Sequence, residues 1–391
     1  MAARRLLVDV HTHVYLPRYA AFLRARTNLP RIFTRTSDAG VEEERLRILE
    51  GESLGGRPIG AQYWDREEKL KFMDKHDIDI SVVSSANPWL DFLPADTAQK
   101  LAGELNEDLE SYCATSPAVA GDSLRRLYGF GLLPLVPEVS VESLLQTIQQ
   151  ISSLPHLKGI IMGTRGLGKG LDDEALEPVW TAIAKAGLVV FLHPHYGVEG
   201  SSATWGEKDY GHVLPLALGF PFETTVATTR LILSGVFDRH PTLRILLAHS
   251  GGALPQLSSR LASCIDHDPV VASKLEHDAR FYLSKLYFDA VAYGSEELGY
   301  VSDAIGRAEA FSARPSSASA SKLLGSLKRK LGSSRMMFGT DHPFFPPLSD
   351  SEKWKSVVEN LEAIDGVDGW GDAEKDGVRG SNALKLFGLA S

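Results

Sequence analysis

Two histidines placed two residues apart open the chemistry of this chain, in Val8-Asp9-Val10-His11-Thr12-His13. The run 6–10 is apolar and β-branched around one aspartate, which predicts a short buried strand. Side chains alternate faces along a strand, so His11 and His13 point the same way from its end. Two neutral imidazoles converging from one strand make half of a metal site. An isolated His-x-His is as readily a pair of polar residues in a turn; recurrence decides against that here. His193 stands in His193-Pro194-His195, His249 in His249-Ser250-Gly251-Gly252, and Asp341 in Gly339-Thr340-Asp341-His342-Pro343, each after a short apolar run. Imidazoles with a carboxylate suit Zn2+, with Mn2+, Fe2+ or Co2+ as alternatives.

The elements that must position these groups are eight short apolar runs, at 6–10, 78–85, 127–135, 158–163, 188–192, 243–248, 286–289 and 335–338. Helical patterns lie between them, at 67–76, 98–115, 141–154, 174–186, 223–235, 254–264 and 295–307, and two more close the chain at 352–364 and 381–389. Strands alternating with helices predict an α/β fold, a (β/α)8 TIM barrel forming one domain over 1–391. A doubly wound open sheet is the alternative architecture. In a barrel the candidate ligands fall at strand ends, and closure sets the first strand beside the eighth. The excursions 15–66 and 196–221, after the first and fifth strands, are read as caps over the site. Within the first, Glu42-Glu43-Glu44 is read as a solvated helix face. The Ser/Ala- and Lys-rich stretch 313–330 is read as a flexible insertion.

The fourth strand, Ile160-Ile161-Met162-Gly163-Thr164, offers no Lys, Glu or Asp to bridge two ions, so one metal is expected. Gly166-Leu167-Gly168-Lys169-Gly170 invites a phosphate-loop reading, but Gly170 stands where that motif needs a hydroxyl. A tight turn beside the site fits it better.

The chain has 391 residues, 43% hydrophobic and 23% charged, enough for a large core, with a formal charge of −9 that argues against nucleic acid or an anionic membrane as the main partner. Only Cys113 and Cys264 are present, so no disulfide framework is implied. The apolar run after Arg4-Arg5 is broken by Asp9 and His11 and is too short for a signal peptide or a membrane span. A cytoplasmic enzyme acting on a small molecule is expected.

The His-x-His strand with His193, His249 and Asp341 resembles the amidohydrolase superfamily. His193-Pro194-His195, the His249-Ser250-Gly251-Gly252 turn and Gly339-Thr340-Asp341-His342-Pro343 resemble its aminocarboxymuconate semialdehyde decarboxylase-like branch. Segments spread over nearly the whole chain are similar to the fungal iso-orotate (uracil-5-carboxylate) decarboxylases: Ala86-Asn87-Pro88-Trp89, 166–173, 191–197, 210–221 and 338–347. The insertion at 313–330 departs from that pattern. The resemblance implies metal ligands His11, His13, His193 and Asp341, holding one divalent ion, zinc first and manganese next. It implies that Asp341 and His249 are catalytic, Asp341 carrying the proton and His249 standing beside the metal near bound water or substrate. It implies a substrate shell of Arg57, Asn87, Phe222, Arg260 and Phe344, with Arg260 supplied across a homodimer. His195, His212 and His342 are equally readable as structural, and Trp89 as packing under the pocket. The implied reaction is decarboxylation of a planar ring carboxylate, iso-orotate giving uracil and CO2. Hydroxybenzoates such as 2,3-dihydroxybenzoate, γ-resorcylate and 6-methylsalicylate are the alternative substrates, and amide or ester hydrolysis at one metal is the alternative chemistry.

Overall fold

The structure is a computed structural model and describes residues 5–36, 40–50, 52, 55–195, 210–211, 213–312, 327–349 and 351–389. Eleven strands are present among them, β1 (Val8–Val14), β2 (Arg31–Thr36), β3 (Glu42–Arg47), β4 (Arg57–Ile59), β5 (Ile80–Ser85), β6 (Leu127–Leu132), β7 (Leu157–Gly163), β8 (Val189–His193), β9 (Arg244–Leu247), β10 (Leu286–Asp289) and β11 (Met336–Met337). Eight of these form one parallel sheet in the order β1-β5-β6-β7-β8-β9-β10-β11. The amide of Val10 donates to Phe338 C=O at 3.0 Å, and Thr12 bridges His342 in parallel, so β1 meets the chain leaving β11 and the barrel closes. The expected (β/α)8 architecture is what the chain adopts.

The strands carry almost unbroken apolar runs because both faces are covered, side chains filling the barrel inside and helices packing outside. Val190, Phe191, Leu192, Ile245, Leu246 and Leu247 are all fully buried. Helices follow the expected spacing; Val141–Ser153, for example, buries Leu144, Ile148 and Ile151 and is capped by the Ser140 hydroxyl on the Ser143 amide.

Two expectations are corrected, and two more fall partly outside the described residues. The first strand does not stop before the histidines but runs on to Val14, because pairing with β5 continues to Val14 opposite Ser85. The acidic run 42–44 is not a helix face. It lies on β3, the middle strand of an antiparallel sheet between β2 and β4. Alternation explains this: Leu46 is buried opposite Ile32, while Glu44 turns out to meet Arg24 at 2.6 Å. Of the second excursion, 196–209 and 212 lie outside the described residues, and from 213 onward the chain is helical and runs into the helix Phe220–Leu233. Of the insertion, 313–326 lie outside the described residues, but Leu327–Ser333 is a helix packed on Ser295–Gly306. That crossing is close enough that a Cβ on Gly332 would lie 1.8 Å from Ser302 C=O.

Candidate active site

The C-terminal ends of the barrel strands bring His11, His13, His193 and Asp341 together, with one ligand atom from each within 4.8 Å of the others. All four are buried. The Nε2 atoms of His11 and His13 are 3.1 Å apart, and each reaches Asp341 Oδ1, at 3.3 and 3.4 Å. The His193 ring stands 5.2 Å from His11 and 5.0 Å from His13, centre to centre.

Each imidazole is tied through its other nitrogen. His11 Nδ1 meets Asp289 Oδ2 at 2.6 Å, His13 Nδ1 meets Ser84 Oγ at 3.0 Å, and His193 Nδ1 meets Pro194 C=O at 2.8 Å. With Nδ1 as the donor in each case, all three Nε2 lone pairs face one point. Lone pairs this close repel unless a cation or a proton lies between them. Outer partners of this kind hold metal-bound histidines in a fixed orientation and tautomer. The donor set fits a divalent metal ion.

The electrostatics agree. Burial alone would lower the His11 pKa, but Asp341 and Asp289 outweigh it and push it up to about 10. Burial takes His13 down to about 4, and burial with the neighbouring imidazoles takes His193 well below its ordinary value. Burial works against Asp341 ionising, yet His11, His13 and His249 hold it well below the usual carboxylate range. The cluster thus keeps one positive charge at its centre, and in the chain alone a His11 proton supplies it.

His249 stands at the edge of this cluster, its Nε2 3.9 Å from Asp341 Oδ2 and its ring 5.1 Å from that of His11. Its Nδ1 is buried and has no hydrogen-bond partner among the described residues. His249 and Ser250 are both left-handed, at φ +53° and +52°, a conformation rare outside glycine. Asp289 holds this turn by accepting from the His249 and Ser250 amides at 2.9 and 2.8 Å.

Of the expected substrate shell, Arg57, Asn87 and Phe344 lie beside the cluster. The Arg57 guanidinium covers Phe344 at 4.7 Å, and the Phe344 ring packs on His13 at 5.5 Å. Arg57 Nη2 donates to Asn87 C=O at 2.9 Å and to the Tyr15 hydroxyl. The Asn87 side-chain amide already donates to His195 C=O. Phe222 is 41% exposed, whereas Phe220 lies against His193 and His249 at 6.2 and 6.1 Å. Arg260 is exposed on the helix Leu254–Asp266. Trp89 packs on His195 and His193 at 4.5 and 6.0 Å. His342 is buried against Phe72 and Trp354, and His212 lies outside the described residues.

Sequence reasoning missed Asp289, Ser84 and Phe220. Asp289 did carry a signal, a lone carboxylate ending the apolar run Leu286-Tyr287-Phe288. Ser84 and Phe220 carried none, since hydroxyls at strand ends and aromatics at helix starts are ordinary.

Gly163, at the end of β7, shows what fills the place where a bridging ligand would stand. A Cβ there would lie 2.1 Å from His195 Cε1 and 2.5 Å from the Trp89 ring. No side chain fits at that position unless both rings move.

A metal-binding cluster at the C-terminal mouth of a closed parallel barrel defines the metal-dependent hydrolase type of site. The amidohydrolase family model matches residues 8–389, and the chain belongs to that family. It is 26% identical to a 2-amino-3-carboxymuconate-6-semialdehyde decarboxylase of Dictyostelium discoideum, over 99% of this chain and 92% of that protein. The crystal structure of Metarhizium anisopliae IDCase (iso-orotate decarboxylase) in apo form is 39% identical over 100% of this chain and 99% of that one, with a TM-score of 0.84. A dihydroxybenzoic acid decarboxylase from Polaromonas sp. JS666 with bound manganese shares the fold at a TM-score of 0.68, with 17% identity over 99% and 98% of the two chains. The chain stands with the decarboxylases of the family and is a carboxy-lyase.

Proposed function

We propose that this chain is a non-oxidative, metal-dependent decarboxylase of uracil-5-carboxylate, releasing uracil and CO2. One observation carries the reading. A half-buried guanidinium stacked on an aromatic ring adjoins the metal-binding cluster, in the chain Arg57–Phe344–His13. A planar ring needs an apolar face, and its carboxylate and ring oxygens need a cation and donors. Arg57 Nε is buried without a partner among the described residues, which leaves one donor for a ligand. The 39% identity to the Metarhizium enzyme across the full chain favours the pyrimidine over the hydroxybenzoates.

His11, His13, His193 and Asp341 would hold the ion, which we assign as one zinc, with manganese as the alternative. When bound, it supplies a Lewis acid and a template for the substrate carboxylate and adjacent ring oxygen. The crowding of His195 and Trp89 at Gly163 supports a single ion. Asp341 and His249 move the proton. His249 Nε2 faces Asp341 Oδ2, so the imidazole can hand a proton to the carboxylate, which delivers it to C5 of the ring. The bond from C5 to the carboxylate then breaks, its electron pair stays with the ring and restores the C5–C6 double bond, and CO2 leaves. Arg57, Asn87 and Phe344 hold and cover the ring, whereas Phe222, exposed on this chain, falls on the proposed dimer face.

Arg260 is assigned to a partner chain's site in a homodimer. The support is an exposed apolar stripe, Leu218, Phe222 and Val226 at four-residue spacing, and exposed Leu257 and Arg260 on the helix Leu254–Asp266, which packs against the helix Phe220–Leu233. An exposed apolar stripe of this kind suits an interaction face. Among the described residues no helix is long and apolar enough to cross a membrane. We assign the protein to the cytoplasm, on its two unpaired cysteines.

The test is CO2 release by the metal-loaded protein from uracil-5-carboxylate, 2,3-dihydroxybenzoate, γ-resorcylate and 6-methylsalicylate. The pyrimidine should be turned over fastest. A faster phenolic acid would move the chain to the hydroxybenzoate enzymes, and hydrolysis of an amide or ester without CO2 from any acid would make it a hydrolase.

A further inference from the structure

Lys69 has no exposed surface, although it sits in the charged helix Arg66–Lys75. A lysine buried so completely is costly to keep unless its donors are used. Its Nζ lies 2.6 Å from Thr12 Oγ1 and 2.6 Å from His342 Nδ1. Thr12 stands between His11 and His13, and His342 follows Asp341. The Thr12 hydroxyl in turn donates to His342 C=O at 3.2 Å. Lysine, threonine and histidine therefore close a ring of hydrogen bonds across the line where the first and last barrel strands meet. Burial pulls the lysine pKa down to about 7 against the opposing pull of Asp9. The ring does not depend on that proton, because an amine keeps donors for both acceptors.

That line joins the shortest strand of the barrel to a segment of demanding backbone geometry. The last strand is only Met336–Met337, and Asp341 beyond it is left-handed at φ +57°. A residue held in that conformation persists only where its surroundings fix it. The Asp341 amide donates to His11 C=O at 2.8 Å and the His13 amide to His342 C=O at 2.7 Å. On the other side Asp9 accepts from the Thr340 amide and hydroxyl at 3.1 and 2.8 Å. The two histidines and the carboxylate that must meet one ion are thus set against each other by a handful of bonds.

We propose that Lys69 is a positioning residue of the metal centre: by clamping Thr12 to His342 it sets Asp341 against His11 and His13. This rests on reading His11, His13, His193 and Asp341 as ligands. A lysine that merely anchored its helix would change stability and leave the ligand geometry alone.

The experiment titrates metal-free wild-type and Lys69→Met chains with Co2+ and Zn2+ against a chromophoric chelator, and records the visible spectrum of the cobalt form. Lys69→Met should bind both ions at least about tenfold more weakly, with a changed cobalt spectrum and a native circular dichroism spectrum. Thr12→Val keeps the side-chain shape and should weaken binding about threefold or more; the double variant should be no worse than Lys69→Met alone, since both changes open one ring. A folded Lys69→Met chain that binds Co2+ like the wild type, with the same spectrum, overturns the proposal. If Lys69→Met fails to fold, Thr12→Val decides: weaker binding supports the clamp, and unchanged affinity and spectrum overturn it. A wild-type chain that binds neither ion would instead overturn the metal-centre reading on which the proposal stands.

Discussion

Asp289 and His11 share a short hydrogen bond, Oδ2 to Nδ1 at 2.6 Å, and the same carboxylate accepts the amides of His249 and Ser250. One side chain at the end of β10 therefore orients an imidazole of the candidate metal centre and builds the left-handed turn that presents His249. Replacing Asp289 with asparagine removes the charge and one acceptor. Metal affinity should fall about 10- to 100-fold, measured by chelator competition. Affinity equal to the wild type would show that the backbone alone sets the His11 ring.

The protonation of the cluster makes metal binding depend on pH. His11 is raised to about 10, so at neutral pH it carries a proton that the ion must displace. His13, at about 4, and His193, lower than its ordinary value, bring none. Binding should release about one proton, and affinity should rise roughly tenfold per pH unit up to about pH 10. Calorimetry in buffers of different ionisation enthalpy measures that proton directly; finding none would place the charge elsewhere.

His193 and His249 should separate metal binding from chemistry. His193→Ala should lose metal and activity together. His249→Ala should keep its metal while the rate falls about 10²- to 10⁴-fold, the usual loss when a proton-transfer group is removed. Recovery of His249→Ala free of metal would make it a ligand.

How much of this was legible before the structure follows from periodicity and company. His11 and His13 announced themselves because a strand alternates with period two, and His193, His249 and Asp341 because they ended matching strands. Asp289 ended a strand as well, but its partners, His11 and the 249–250 amides, are distant in sequence. Lys69 was hidden by its neighbours: in Arg66-Glu67-Glu68-Lys69-Leu70-Lys71 it looks like one more solvated charge, and only the packing of its helix on the closing seam buries it. The run 42–44 misled because three glutamates in a row hide the alternation that places Leu46 inside and Glu44 on Arg24.

Arg260 gives the assembly its own test. A guanidinium pairs with a carboxylate through two parallel hydrogen bonds, which a lysine cannot copy. If it completes a partner's site, each single variant, Arg260→Ala or His193→Ala, should be nearly inactive. Mixing the two should restore activity, because in the heterodimer one of the two sites carries neither change. Subunit exchange confirmed by mass spectrometry, with no recovery of rate, would confine Arg260 to its own chain.

The most direct test is the fate of the proton that replaces the carboxylate. Metal-loaded protein is incubated with uracil-5-carboxylate in D2O, and the products are followed by NMR and mass spectrometry. One CO2 per uracil is expected, with a single deuterium at ring C5, and that turnover should be lost in Asp341→Asn. Unchanged uracil-5-carboxylate beside rapid turnover of a phenolic acid, or full activity after complete removal of metal, would contradict it.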